Sequence, residues 1–130
     1  MFNKLAFIVL ITALLSSFAF AQSAQDISQQ DFQKLINSAD KGSVLVLDVR
    51  TPEEYAQGHV PNAMNITHTA IENNLPKLMA HKDKKIVIYC RSGRRAGVAA
   101  DILTKNGFEK LYHLDGDMNG WTKAGLPIEK

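Results

Sequence analysis

A second cysteine is missing from this chain. Cys90 stands alone, so no internal disulfide can staple the fold. A small exported domain would ordinarily carry an even set, and a lone thiol is either buried and inert or exposed and used; its neighbours decide which. An excess of one charge is missing too. Fifteen Lys and Arg face thirteen Asp and Glu, a balance that points to no nucleic acid partner and no membrane surface. The main apolar run, Leu5 to Leu15, is shorter than the ~20 residues of a spanning helix. Repeats and low-complexity tracts are absent. The four histidines, His59, His68, His81 and His113, lack metal-ligand spacing, so they read as surface or turn residues and no metal is expected.

What is present begins with a leader. Lys4, the apolar run after it and the small residues ending in Ala19-Phe20-Ala21 have the three-part build of a secretory signal peptide. Cleavage near Ala21 and export, to a periplasm, are expected, with no membrane attachment of the mature form. The expected organisation is a signal peptide over 1–21, a flexible start over 22–27 and one domain over 28–130, a length that suits a single modest core.

Within that domain short apolar runs alternate with amphipathic segments, which predicts an α/β fold with a mainly parallel sheet. Ser28 and Asp31 form a capping signal for a helix to about Ala39, with Phe32, Leu35, Ile36 and Ala39 on one face. Val44 to Val49 reads as a strand buried on both faces. Thr51-Pro52-Glu53-Glu54 starts a short helix that ends at Gly58. A short extended piece is expected from Met64 to Ile66. Pro76 breaks the stretch from Thr69 to Ala80. A strand from Ile86 to Tyr89 precedes a helix from Ala96 to Asn106, stopped by Gly107. Leu111 to Leu114 is the last strand, and Gly116 to Trp121 is expected to be a closing loop, with Met118 and Trp121 as core plugs.

The chemistry is concentrated in Tyr89-Cys90-Arg91-Ser92-Gly93-Arg94-Arg95-Ala96, between a buried strand and a helix. Ligands of open parallel sheets bind at the carboxyl ends of strands, where the amides opening the next helix cradle anions. A cysteine at the start of such a loop is expected to be held as a nucleophilic thiolate by those amides and by nearby guanidinium groups. Gly93 lets the backbone curl. Ser92 offers a hydroxyl, and Arg91, Arg94 and Arg95 can attract an anionic donor, at least one of them being expected to remain an ordinary surface charge. By itself a cysteine beside a strand is commonly a small core residue; three arginines, a serine and a glycine within five positions argue for use.

These residues resemble the signatures of rhodanese domains. Leu47-Asp48-Val49-Arg50, Glu54-Tyr55, Gly58-His59-Val60-Pro61-Asn62-Ala63 and Asn65-Ile66 are similar to the family's N-terminal signature. The segment from Tyr89 to Ala96 is similar to its active-site loop, and Leu114-Asp115-Gly116 through Gly120-Trp121 to its C-terminal signature. The likeness spans about residues 28 to 128, and it departs from the family at Asp117, where a second glycine is usual. The resemblance implies an open parallel sheet of about five strands flanked by helices, and a two-step sulfur transfer. Cys90 would take the outer sulfur of thiosulfate, hold it as a persulfide and pass it to cyanide, a thiol or a protein acceptor, with no metal or organic cofactor. Asp48, Arg50 and Glu54 would form a structural polar cluster beneath the site. Relatives that hydrolyse phosphate esters or reduce arsenate have one residue more between cysteine and the final arginine, so the shorter Cys90 to Arg95 loop resembles the sulfur-handling branch. A non-enzymatic sulfur carrier or redox-sensing module remains the alternative.

Overall fold

A computed structural model of the chain describes residues 23–38 and 41–130. The expected signal peptide, and Ala39 at the end of the first expected helix, lie outside the described residues. Five strands form one parallel sheet: β1 (Gln25–Ile27), β2 (Val44–Asp48), β3 (Met64–Asn65), β4 (Lys85–Tyr89) and β5 (Leu111–Leu114), in the order β1-β5-β4-β2-β3. Among the described residues five α-helices flank it: α1 (Gln29–Asn37), α2 (Pro52–Gln57), α3 (Leu75–Leu78), α4 (Arg94–Lys105) and α5 (Asp117–Lys123). The expected fold class, an open parallel α/β sheet of about five strands, is what the chain adopts.

The central strands β2 and β4 are near-continuous apolar runs because both of their faces are covered. The period of two then sorts their side chains between two cores. Leu45, Leu47, Ile86 and Ile88 join Ala96, Ala99 and Leu103 of α4 and Phe108 on one side. Val46, Val87 and Tyr89 meet Phe32, Leu114, Met118 and Trp121 on the other. Trp121 packs edge-on against Phe32, ring centroids 5.6 Å apart, and its indole N–H donates to the Pro127 carbonyl at 2.7 Å. It is the expected core plug, as is Met118.

The helix starts follow the local signals. Ser28 Oγ accepts the Asp31 N–H at 3.0 Å, and Thr51 and Glu54 complete both halves of a capping box. Helix α1 stops at Asn37, since Ser38 turns extended while its hydroxyl donates to the Leu35 carbonyl at 2.6 Å. Between His68 and His81 the chain forms three short 3-10 turns and α3. The expected break of the stretch is thus what the chain shows, and Pro76 itself sits in the first turn of α3, where its missing N–H leaves no bond unmade.

Two expectations are corrected. A flexible start was expected over 22–27; Gln22 lies outside the described residues, and Gln25–Ile27 pair in parallel with Tyr112–Leu114, the Asp115 N–H donating to the Ile27 carbonyl at 3.0 Å. A free edge of β5 offers unmet backbone groups, and three residues suffice to satisfy them. The expected closing loop, Gly116 to Trp121, is instead the entry to α5. Gly116 (φ 80) and Asp117 (φ 53) make a left-handed turn, after which the Gly120 N–H bonds the Gly116 carbonyl at 2.7 Å. The two glycines permit this close turn: a Cβ on Gly116 would stand 3.1 Å from Gly120 Cα.

Candidate active site

Cys90 follows β4 at the carboxyl end of the sheet, where the loop to α4 curls over it. Gly93 is the N-cap of α4, with φ 120 and ψ −28. This conformation suits a glycine, and it aims the Gly93 N–H at Cys90 Sγ, 3.0 Å away. The loop is held from below by α5, whose Met118 and Asn119 amides donate to the Cys90 and Arg91 carbonyls at 2.9 and 3.2 Å. Cys90 is buried, 1% exposed, so exposure does not mark it for use as the sequence criterion would have it; what sets it apart from a core thiol is the backbone donor directed at its sulfur.

The loop arginines divide. Arg95, the second residue of α4, forms a two-pronged pair with Glu54 of α2 at 2.6 and 2.9 Å. That hydrogen bonding, above all, raises the Arg95 pKa, and the nearby charges of Glu54 and Cys90 act in the same direction. The same bond to Arg95 lowers Glu54 to about 2, against the opposing effect of burial. Arg91, Ser92 and Arg94 are exposed. The three guanidinium groups therefore do not converge on the sulfur. Arg91 lines a polar pocket of about 610 Å³ with Arg50, Glu54, Gly58, Asn119 and Lys123.

Asp48 and Arg50 form the buried polar support that the sequence suggested. Arg50 donates to both Asp48 oxygens, at 2.7 Å from Nη2, and reaches the Gly58 carbonyl at 2.8 Å. Glu54 does not join them; its partners are Thr51 and Arg95.

Two residues beside the thiol escaped the sequence reading as functional candidates. Asp117 Oδ1 accepts the Cys90 N–H at 3.0 Å and lies 3.7 Å from Cys90 Sγ. His113, read from sequence as a surface or turn residue, stands on β5 with Nε2 at 2.9 and 3.0 Å from the two Asp117 oxygens. Its Nδ1 is 3.3 Å from Asp26 Oδ1 on β1. The hydrogen bond to Asp117 raises the His113 pKa, burial opposes it, and the charges of Asp117 and Asp26 add to the rise. The departure at Asp117 was the visible signal. No periodicity could have shown that β1, β5 and α5 join in the Asp26–His113–Asp117 chain that ends beside the sulfur. His59 is also no surface residue: it is 6% exposed and stacks on Tyr55 with centroids 3.6 Å apart.

Among the described residues no group of three or more His, Cys, Asp or Glu is placed to hold a metal ion. What the arrangement provides is a buried sulfur with an amide donor, a cationic mouth on one side and an Asp–His pair on the other.

Comparison with known proteins gives a consistent picture. A family model described as a rhodanese-like domain matches residues 28–124. A sulfurtransferase of Allochromatium vinosum is 39% identical over 90 residues, covering 69% of this chain and 82% of that protein. The tRNA uridine(34) hydroxylase of Escherichia fergusonii is 38% identical over 97 residues, but the chain spans only 28% of its length. Among solved structures, a rhodanese-related protein of Thermoplasma volcanium superposes with a TM-score of 0.69 at 26% identity, over 81% of this chain and 97% of that one. A Rhodopseudomonas palustris protein of unknown function, described as a possible tyrosine phosphatase, does so with 0.71 at 27% identity, over 82% and 86%.

Proposed function

The chain belongs to the rhodanese-like domain family, a family that includes sulfurtransferases, and from that membership we propose that it transfers sulfane sulfur from thiosulfate through Cys90. The observation that carries this reading is the Gly93 N–H directed at Cys90 Sγ at 3.0 Å. A donor in that place stabilises negative charge on the sulfur before the reaction and on the persulfide after it.

In the first step the Cys90 thiolate attacks the outer sulfur of thiosulfate. A sulfur–sulfur bond forms to Cys90, and the bond to the sulfonate sulfur breaks, its electron pair leaving with sulfite. In the second, cyanide or a thiolate attacks the terminal sulfur, and the electron pair of the persulfide bond returns to Cys90. Covalent storage divides one transfer into two easier steps, and the transfer needs no metal or organic cofactor. Arg91, which lines the cationic pocket, is positioned to draw the donor anion, Ser92 and Arg94 are exposed on the same loop, and Arg95 contributes its field while bound to Glu54.

Phosphate-ester hydrolysis is the less favoured chemistry on this loop. The Arg95 guanidinium is engaged by Glu54 through both terminal nitrogens, and the Cys90 to Arg95 loop is short. The hydroxylase activity of the longer tRNA-modifying relatives stays with those proteins.

Residues 1–21 complete the proposal as a signal peptide for export. Cleavage near Ala21 would leave β1, which begins at Gln25, intact; the N-terminal sequence of the protein recovered from the periplasm tests this.

The deciding experiment is intact-mass spectrometry of the mature protein after thiosulfate. One added sulfur is expected on the wild type and none on Cys90→Ser, and cyanide should remove it as thiocyanate. No gain on the wild type overturns the reading. Ready formation of the persulfide with negligible turnover and delivery to one protein would assign a carrier role instead.

A further inference from the structure

Beside the sulfur stands a pair of residues that the transfer steps do not call on. Asp117 is 2% exposed and is pinned by two donors: the Cys90 N–H and, through both carboxylate oxygens, His113 Nε2. Gly93 lies close by, since a Cβ there would stand 3.3 Å from Asp117 Oδ2. The carboxylate therefore cannot swing to solvent, and at 3.7 Å from Cys90 Sγ water screens it poorly. Unbalanced, it would repel any anion approaching the thiol.

His113 is the balancing charge. Its ring lies between Asp117 of α5 and Asp26 of β1, an arrangement in which both ring nitrogens act as donors only when the imidazole is protonated. Asp101 of α4 lines the same crevice, of about 290 Å³, as His113 and Asp26. On the other side of the sulfur, Arg95 of α4 is already paired with Glu54 of α2, and Arg91 is exposed. The charge that compensates Asp117 directly therefore comes from the histidine.

We propose that Asp117, balanced by His113, selects the charge of the reactant that Cys90 accepts: an anionic sulfur donor is admitted while His113 is protonated and rejected once it is neutral. The proposal rests on the reading of Cys90 as the sulfur-accepting nucleophile and names a specificity residue for it. Asp117 lies against the reacting atom; His113 acts through Asp117 and is a positioning residue. The direction of the His113 shift agrees, because a raised pKa keeps the pair neutral to higher pH than an unperturbed imidazole would.

The test compares alkylation of Cys90 by iodoacetate, an anion, with that by iodoacetamide, which is neutral. Both reagents need the thiolate, so the ratio of their rates cancels its ionisation and reports the field at Sγ. In the wild type the iodoacetate to iodoacetamide ratio should fall about tenfold between about pH 6 and pH 9 as His113 loses its proton. Asp117→Asn keeps an acceptor for the Cys90 N–H and tolerates the left-handed backbone; its ratio should be higher and flat. His113→Gln leaves the carboxylate unbalanced, and its ratio should be low at every pH. A wild-type ratio that is flat and equal to that of Asp117→Asn overturns the proposal, as does a His113→Gln profile that tracks the wild type, or a Cys90 that neither reagent labels. The thiosulfate mass test on the same preparations separates the two ideas. The expected ratios without sulfur gain sink the transfer reading alone; sulfur gain with flat, equal ratios sinks this one alone.

Discussion

The Tyr89 hydroxyl donates a 2.6 Å hydrogen bond to Asp48 Oδ2 and accepts the Val60 N–H at 3.0 Å. One side chain at the end of β4 thereby ties β2 to the segment that follows α2. Burial above all, then the charge of Asp48, raises the Tyr89 pKa, so the group acts as a neutral donor. Arg50 donates to the same Asp48 oxygen, and its guanidinium lies over the Tyr89 ring, 5.7 Å from the centroid. This cluster sets the height of the strand end from which Cys90 projects.

Asp48→Ala should be the most costly polar substitution in the protein. It leaves Arg50, 5% exposed, as a buried charge without its carboxylate, a loss of about 3–5 kcal/mol. Chemical denaturation should show a lowered midpoint, with Asp48→Asn less affected because one acceptor remains. A loss below about 1 kcal/mol would mean that water takes over the role of Asp48.

Gly93→Ala should damage the site more than the fold. The glycine has φ 120, and an added Cβ would meet Asp117 Oδ2 at 3.3 Å and the His113 ring at 3.6 Å. A destabilisation of at least about 1 kcal/mol is expected. Turning the Gly93 N–H away from Sγ should also lower thiosulfate turnover by about 10²-fold or more, the scale of losing one oxyanion donor. Turnover within about twofold of wild type would show that this amide does not stabilise the sulfur.

The Glu54–Arg95 pair should add stability that disappears in acid. Glu54 is lowered to about 2 in the folded protein from an ordinary 4.5, so the contribution is present above about pH 4.5 and is lost as the pH falls towards about 2. Both side chains keep some contact with water, at 19% and 28% exposure, which holds the gain to about 1 kcal/mol or less. The difference in melting temperature between wild type and Glu54→Gln should be constant near neutrality and shrink to nothing over that window. A difference independent of pH assigns the effect to packing or to the Thr51 cap.

His113 should act with the opposite sign. Its folded pKa is raised, so its contribution is fully present below the ordinary imidazole value and is lost as the pH rises through the folded one. Wild type should therefore lose stability relative to His113→Gln as the pH is raised from about 6 to about 9. A gap that widens instead would show that the imidazole is held neutral.

Trp121→Ala should cost about 3–5 kcal/mol. It removes the edge-on contact with Phe32 and leaves the Pro127 carbonyl without its indole donor. Trp121→Phe, which restores the ring but not the N–H, should recover most of that loss. Equal losses for the two variants would place the energy in the hydrogen bond rather than in packing.

Much of this fold was legible because its signals are local. Thr51-Pro52-Glu53-Glu54 contains both halves of a capping box and a proline where a helix can take one. Strands β2 and β4 are short unbroken apolar runs, which only a sheet covered on both faces can bury. The place of Cys90 was legible as well, since an apolar strand before it and a glycine-containing helix start after it are local signals. Strand β1 was not legible: Gln25-Asp26-Ile27 has no strand pattern of its own, and pairing with the edge of β5 orders it. Helix α5 was missed because Gly116 and Gly120 read as loop residues, whereas they are what allows its tight first turn.

The amino-acid sequence by itself determined the parallel α/β layers, the caps and stops of the helices, and the thiol at the carboxyl end of a central strand. Each of these depends on residues within a few positions of one another. Only the tertiary structure decided what surrounds that thiol. It turned Arg95 to Glu54 and left Arg91 and Arg94 in solvent. It also brought Asp117 to the sulfur, with His113 behind Asp117 and Asp26 behind His113, from a helix and two strands. Side-chain charge acts through distances in space, and distances between elements far apart in the chain are set by how the sheet is ordered and packed.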